Sequence, residues 1–238
     1  MKQFHIFLLF VGFSFAAAAQ PSLPKIDVSN RTSDHFVLQL SSDRWLGAPD
    51  SIDSRFKSNS RGVNVYFMLD KTFKSNPKFS LAAGLGISSS HVFLNKMTAA
   101  INGTSGLLAF KAVDTVNRFD KYKVSTSYIE IPLELRYFSK PQKPNGCFKA
   151  AVGVKIGALV NAHTKGKTWV SPNGSTLQDY SEKITSKNYF NTTRLSATAK
   201  LGYGNFGIFG SYNLTSIFKD KVAADMKLLQ LGITISGM

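Results

Sequence analysis

The chain offers few residues for catalysis or metal binding, and their spacing limits what those can do. The four histidines are His5, His35, His91 and His163, and no two stand at an H-x-x-x-H interval that would aim both at one metal. Cys147 is the single cysteine, so neither an internal disulfide nor a paired thiolate site is available. Its place in what reads as a strand makes it a small wall residue. Glu130 and Glu134 share parity and would lie on one face of a strand. Two carboxylates can run acid–base chemistry, but only beside a nucleophile or a group that activates water, and nothing adjacent supplies one. No G-x-S-x-G, P-loop or dinucleotide fingerprint occurs, and Gly84-Leu85-Gly86 and Gly202-Tyr203-Gly204 open no helix. Asn102-Gly103-Thr104 and Asn173-Gly174-Ser175 read as turn chemistry. These residues predict no enzyme, no cofactor and no metal site.

What remains is charge pairing. Glu130, Glu134 and Arg136 fall on one segment, Lys149 and Lys155 on the next, and Arg194 and Lys200 on a third. The expectation is a structural network of these seven residues, provided that their segments are strands facing a common interior.

The segments that must position them show a period of two. From Ile129, the odd positions Ile131, Leu133, Leu135 and Tyr137 are apolar, while Glu130, Glu134 and Arg136 fall between them. A helix would scatter those charges, so Ser125–Phe138 is a strand, and Pro132 predicts a bulge or kink within it. The same alternation recurs around residues 36–41, 63–70, 79–88, 148–161, 194–203, 206–214 and 229–236, giving eight strands. Longer connections at about 46–60, 93–122, 163–189 and 216–224 alternate with short ones at Phe73–Pro77, Ser139–Gly146 and Gly204-Asn205. All short turns therefore lie at one end, as in outer-membrane barrels.

The start of the chain reads as a Sec signal peptide over residues 1–19: Met1-Lys2, an apolar run from Ile6 to Phe15, and small residues before Gln20. A polar leader, 20–34, precedes the barrel domain, 35–238. Beyond the signal no apolar run approaches the roughly 18 residues of a transmembrane helix. The formal charge of +15 comes from 29 Lys and Arg spread along 238 residues without a compact basic run. That argues against nucleic acid and for solvated loops, with an anionic surface as a partner.

Alternation alone leaves the direction of the apolar face open. Apolar-out makes a membrane barrel whose partner is lipid; apolar-in makes a soluble, lipocalin-like carrier. The polar face is rich in Gly, Ala and Ser, which suits the crowded interior of an eight-stranded barrel. Trp45, Tyr137, Phe138, Tyr203, Phe206 and Phe218 sit near strand ends, where interfacial girdles belong.

Two segments carry a family resemblance. TSYIEIPLELRYF resembles the Y-[IL]-E-[IL]-P-L-x-[IL]-[KR]-Y strand of Bacteroidota outer-membrane β-barrel proteins, a group that includes the PorT-like barrels. ATAKLGYGNFGIFGSYNLTSIFKD is similar to the glycine- and aromatic-rich penultimate hairpin of that group. The resemblance implies an all-β, eight-stranded antiparallel up-and-down transmembrane β-barrel in a Gram-negative outer membrane, inserted by the barrel-assembly machinery. The resemblance also allows an accessory role in a protein secretion system. The chain's own pattern is read as a barrel with a side-chain-filled lumen and a structural or interactive role, in which the connections 93–122 and 163–189, carrying Trp169, Tyr180 and Tyr189, meet other envelope or secretion proteins. Some outer-membrane barrels modify lipids with rim Ser and His, and Ser88 to His91 is the local candidate. One departure is the C-terminal Ile235-Ser236-Gly237-Met238, where such barrels carry an aromatic residue.

Overall fold

The computed structural model describes residues 35–236. The signal and leader expected over 1–34 lie outside the described residues, as do the last two positions. Among the described residues eleven strands form: β1 (Phe36–Leu46), β2 (Arg61–Thr72), β3 (Phe79–Leu94), β4 (Met97–Ala99), β5 (Phe110–Ala112), β6 (Arg118–Phe138), β7 (Phe148–Val170), β8 (Thr176–Thr185), β9 (Thr193–Tyr203), β10 (Phe206–Asn213) and β11 (Lys227–Ser236). Eight of them close a ring in the order β1-β2-β3-β6-β7-β9-β10-β11, every neighbour antiparallel, and β11 pairs back to β1 from Val37↔Ser236 to Leu46↔Lys227. The eight-stranded up-and-down barrel read from the sequence is the observed fold. β8 adds a ninth strand along the upper part of β7, and β4 and β5 form a separate two-stranded sheet.

The period of two translates directly into an inside and an outside. Outward residues include Leu85 (56% exposed), Ile87 (57%), Val152 (59%), Ile208 (63%) and Leu231 (57%). Their inward neighbours, among them Asn64, Ser88, Glu130 and Ser196, are buried. An apolar surface running around a whole barrel is far larger than a soluble protein leaves bare, and lipid is the medium that covers it. The soluble-carrier alternative needs these side chains inside, and they are outside.

The short connections are as tight as their residues allow. Gly204 takes φ +60° at the first central position of the Tyr203–Phe206 hairpin, where a left-handed backbone suits a type II′ turn. A ring of aromatics marks this end: Phe79 packs on Tyr137 at 5.3 Å, and Tyr203 pairs with both Phe148 and Phe206. Trp45, Phe138 and Phe218, expected in girdles, are instead buried inside the barrel. Their positions carry inward parity or lie on a connection folded into the lumen. Cys147 is likewise not in the wall. It is buried in the turn before β7, with its thiol pointed at the Pro144 carbonyl at 3.6 Å.

Two further expectations shift in detail. Pro132 pairs with Lys155 without a change of register, while toward β3 the ladder lapses opposite Gly84 and Leu85 and then resumes. The bulge lies between Ser127 and Tyr128 instead. The long connections are also shorter than expected, because β6 and β7 continue well beyond the apolar belt. Their outward positions there carry Lys and His in place of aliphatics, so the apolar signal ends while the hydrogen-bonded pairing does not.

Leu133 lies mid-belt, paired with Ala83 on one side and Val154 on the other, and faces lipid. Leu133→Arg should lower stability by about 2–4 kcal/mol in denaturant titrations of the barrel refolded into lipid vesicles. An unchanged midpoint would contradict the outward assignment.

Candidate functional site

The inward faces of β2, β3, β6, β7 and β9 converge on Glu130. One transverse row reads Tyr66, Gly86, Glu130, Gly157, Arg194, large and minimal side chains in turn. The glycines permit the large groups to reach one another. A Cβ on Gly157 would come within 3.1 Å of the Glu130 Cγ. Glu130 is fully buried and accepts from the Arg194 Nε at 2.8 Å and from the Tyr66 hydroxyl at 2.5 Å; the Arg194 Nη2 also donates to it. The Lys155 Nζ stands 3.9 Å from the second carboxylate oxygen. Arg194 donates further to the Ser88 hydroxyl at 2.8 Å and stacks over the Tyr128 ring at 4.0 Å. Ser88 passes the chain on to Asn64 at 2.7 Å, and Asn64 to Gln39 at 3.2 Å.

A second pairing lies nearer the short-turn end. Glu134 accepts from the Arg136 Nε at 3.1 Å and faces the Lys200 Nζ at 2.5 Å. Lys149 lies at that mouth, its Nζ 5.5 Å from the Phe138 ring. The structure thus brings Glu130, Lys155 and Arg194 into one cluster and Glu134, Arg136 and Lys200 into another, with Lys149 at the edge of the second.

A third inward cluster escaped the sequence reading. Asp43 is buried, and no cation among the described residues pairs with it; Ser41 donates to it at 2.5 Å, Gln230 at 3.2 Å, and Ser90 through its hydroxyl. The available signal was the parity of Gln39, Ser41 and Asp43, which continues the inward face of β1 beyond its aliphatic stretch.

Above these polar layers the longer connections fold into the barrel and close it. Trp45, Leu94, Ile101, Tyr122, Phe190, Phe218 and Met226 form an apolar core there, with Trp45 and Phe218 edge to face at 5.4 Å. Hydrogen bonds fasten it. The Tyr189 hydroxyl donates to the Gly103 carbonyl at 2.7 Å, and the Asn191 amide donates to the Ser216 and Phe218 carbonyls at 2.8 Å each. Outside this core, Arg55 donates to Asp114 at 2.7 Å and holds that carboxyl below the ordinary aspartate range, chiefly through the hydrogen bond.

Ser88 and His91 do not meet, because Ser88 points inward to Arg194 and His91 outward to Ser125 at 2.9 Å. Among the described residues no group of His, Cys, Asp and Glu is placed to hold a metal ion.

A closed antiparallel ring, a lipid-facing apolar belt and a polar, charge-paired interior define a transmembrane β-barrel of the outer-membrane class. The family model described as "Outer membrane protein beta-barrel domain" matches residues 10–219, most of the chain, and the chain belongs to that family. Two crystal structures of Ail, the attachment invasion locus protein of Yersinia pestis, align with it at 14% identity, covering 86% of this chain and 97% of theirs. Their TM-scores are 0.36 for the complex with the heparin analogue sucrose octasulfate and 0.35 for the protein alone. No curated protein matches the sequence.

Removing one member of the buried cluster should be severe. Glu130→Gln leaves Arg194 and Lys155 without their counter-charge, at a cost of about 3–5 kcal/mol in denaturant titration. The double variant Glu130→Gln/Arg194→Met should lose less than the sum of the two singles, the signature of direct coupling.

The Arg55–Asp114 clasp carries its own pH signature. Because the native carboxyl is lowered, the contribution is present above the ordinary aspartate pKa and lost as pH falls through the lowered value. Amide protection factors in the connection 95–117, taken relative to the intrinsic exchange rate at each pH, should therefore fall on acidification while those of the barrel strands hold. Asp114→Asn should remove that pH dependence.

Proposed function

We propose that this chain is an exported outer-membrane barrel with a filled lumen, working through the surface at its long-connection end rather than by passing solutes. The observation that carries the reading is the Glu130–Arg194 contact across the interior beneath a hydrophobic cap. Eight strands enclose a space that side chains just fill, and here charged side chains and folded connections occupy it in layers. In this reading residues 1–19 direct export, 20–34 lie in the periplasm, and the short turns face the periplasm. The barrel-assembly machinery inserts the chain. Trp169, Tyr180 and Phe119, clustered with ring centroids 4.9–6.4 Å apart on the tall side of the wall, would meet an envelope partner.

A second reading, an accessory barrel of a protein secretion system, is favoured by the PorT-like pattern of Thr126–Phe138. Deletion of the gene would then stop export of particular proteins; unaltered secretion would exclude it.

The primary reading is tested by fractionation, gel migration and conductance. The protein should remain with outer membranes, migrate faster unboiled than boiled, and show no steady conductance steps in planar bilayers. Stable steps of channel size would overturn the filled-lumen reading. Recovery in the soluble periplasmic fraction would overturn the membrane reading.

A further inference from the structure

Above the apolar belt, the outward face of the β3–β6–β7–β8 wall changes character in tiers. The last paired aliphatic row is Ile87, Ile129 and Ala158, with Val160 exposed in the bulge just above it. Next come Ser89, Ser127 and Asn161, uncharged and polar, with the two serine hydroxyls 2.9 Å apart. The following rows are cationic. Arg61 pairs with His91, which pairs through Ser125 with His163. Beyond them Lys123, Lys165 and Lys183 stand directly opposite one another on three adjacent strands, and Lys121 faces Lys167 one row further. The other members of these rows are Phe93, Thr185 and Ser181, so no outward position here is acidic.

Like charges directly opposite on neighbouring strands are destabilising, and this wall places two such lysine contacts side by side. The charges acting on Lys123 are those of Lys165 and Arg61, and those acting on His163 are Lys183, Lys123 and Lys165. Phe93 holds two of the cations, the Arg61 guanidinium at 5.9 Å and the Lys123 ammonium at 5.8 Å from its ring. Among the described residues, none of the ion pairs involves Arg61 or these lysines. From Ile87 to the row of His91 is four residues of strand, about 13 Å, or roughly 10 Å of height once the barrel tilt is included. Aliphatic, then hydroxyl and amide, then cation is the order of acyl chain, linkage and phosphate in a membrane lipid.

We infer that this face is a docking surface for a phosphorylated glycolipid of the outer leaflet, with Lys123, Lys165, Lys183 and Arg61 taking its phosphates and the belt below taking its acyl chains. Continuity with the lipid-facing wall selects a lipid over a soluble anion, and the tiered charge selects a phosphorylated one. The inference rests on the long-connection end lying in the outer leaflet.

The test uses the full chain refolded into phosphatidylcholine nanodiscs, with fluorescent diphosphoryl lipid A as the probe. The variant is Lys123→Gln/Lys165→Gln/Lys183→Gln, and the charge-matched control is Lys74→Gln/Lys140→Gln/Lys143→Gln in the short turns. Wild type and control should retain lipid A and release it as salt rises. The ladder variant should bind on the order of a hundredfold more weakly, and dephosphorylated lipid A should not bind above background. Unboiled gel migration checks that the variant is folded; should it fail, Lys165→Gln alone should weaken binding about fivefold. Wild-type affinity in the ladder variant, or an equal loss in the control, would overturn the assignment. So would displacement of lipid A by inositol hexakisphosphate at equal concentration, since the face would then be reading soluble polyanions. Nanodiscs expose both leaflets to the probe, so binding does not depend on orientation in the cell. Protease access to β8 on intact cells reads that orientation separately.

Discussion

The contact on which the rest depends is Glu130 with Arg194, supported by Lys155 and Tyr66. Ions taken out of water cost several kcal/mol each, and only near-complete pairing and hydrogen bonding offset that. The barrel meets the requirement by distributing the partners over β2, β6, β7 and β9, so the interaction exists only when all four stand in register. A slip of one residue on any of them would turn a charge or the Tyr66 hydroxyl toward lipid and an aliphatic into the lumen. The polar interior thus contributes less as net stabilisation than as a condition on which pairing is native. The glycines at 86 and 157 belong to the same condition, since the large groups meet across them.

Above that layer the barrel is sealed by ordinary hydrophobic packing. Trp45, Phe190 and Phe218 come from three separate parts of the chain and meet inside the wall, where aromatic pairs add to simple burial. The molecule therefore has two interiors: a charged one at the level of the belt, and an apolar one where the wall rises above it. The connections supply the second interior, and they are fixed by side chains that look, in the sequence, like loop residues.

That division explains what could be read in advance. Lipid on one side and a packed polar lumen on the other impose strict alternation, so Ile129–Tyr137, the eight strands and the shared faces of the charged residues were legible. Tyr189 and Phe218 were not, because a connection that folds inward has no period to betray it. Trp45 has the parity of Gln39 and Asp43, and following that parity past the aliphatic stretch would have placed it inside. The lysine ladder was invisible for another reason. Lys123, Lys165 and Lys183 are far apart in sequence, and only strand register places them in one row. The full length of β6 and β7 was missed because an apolar period marks lipid contact, and the hydrogen-bonded wall outlasts that contact.

The ring is completed by β1 against β11, the first and last strands of the barrel. Every other adjacent pair except β3–β6 and β7–β9 joins consecutive strands, so most of the wall can assemble as local hairpins. The closing seam requires the two extremes of the domain to meet, the most entropically costly contact in the fold. Until it forms, the sheet has two bare edges with unsatisfied amides and carbonyls, intolerable in hydrocarbon and prone to pair with other chains in water. Insertion and closure are therefore a single commitment, and a chain arrested short of β11 has no stable resting place in either medium.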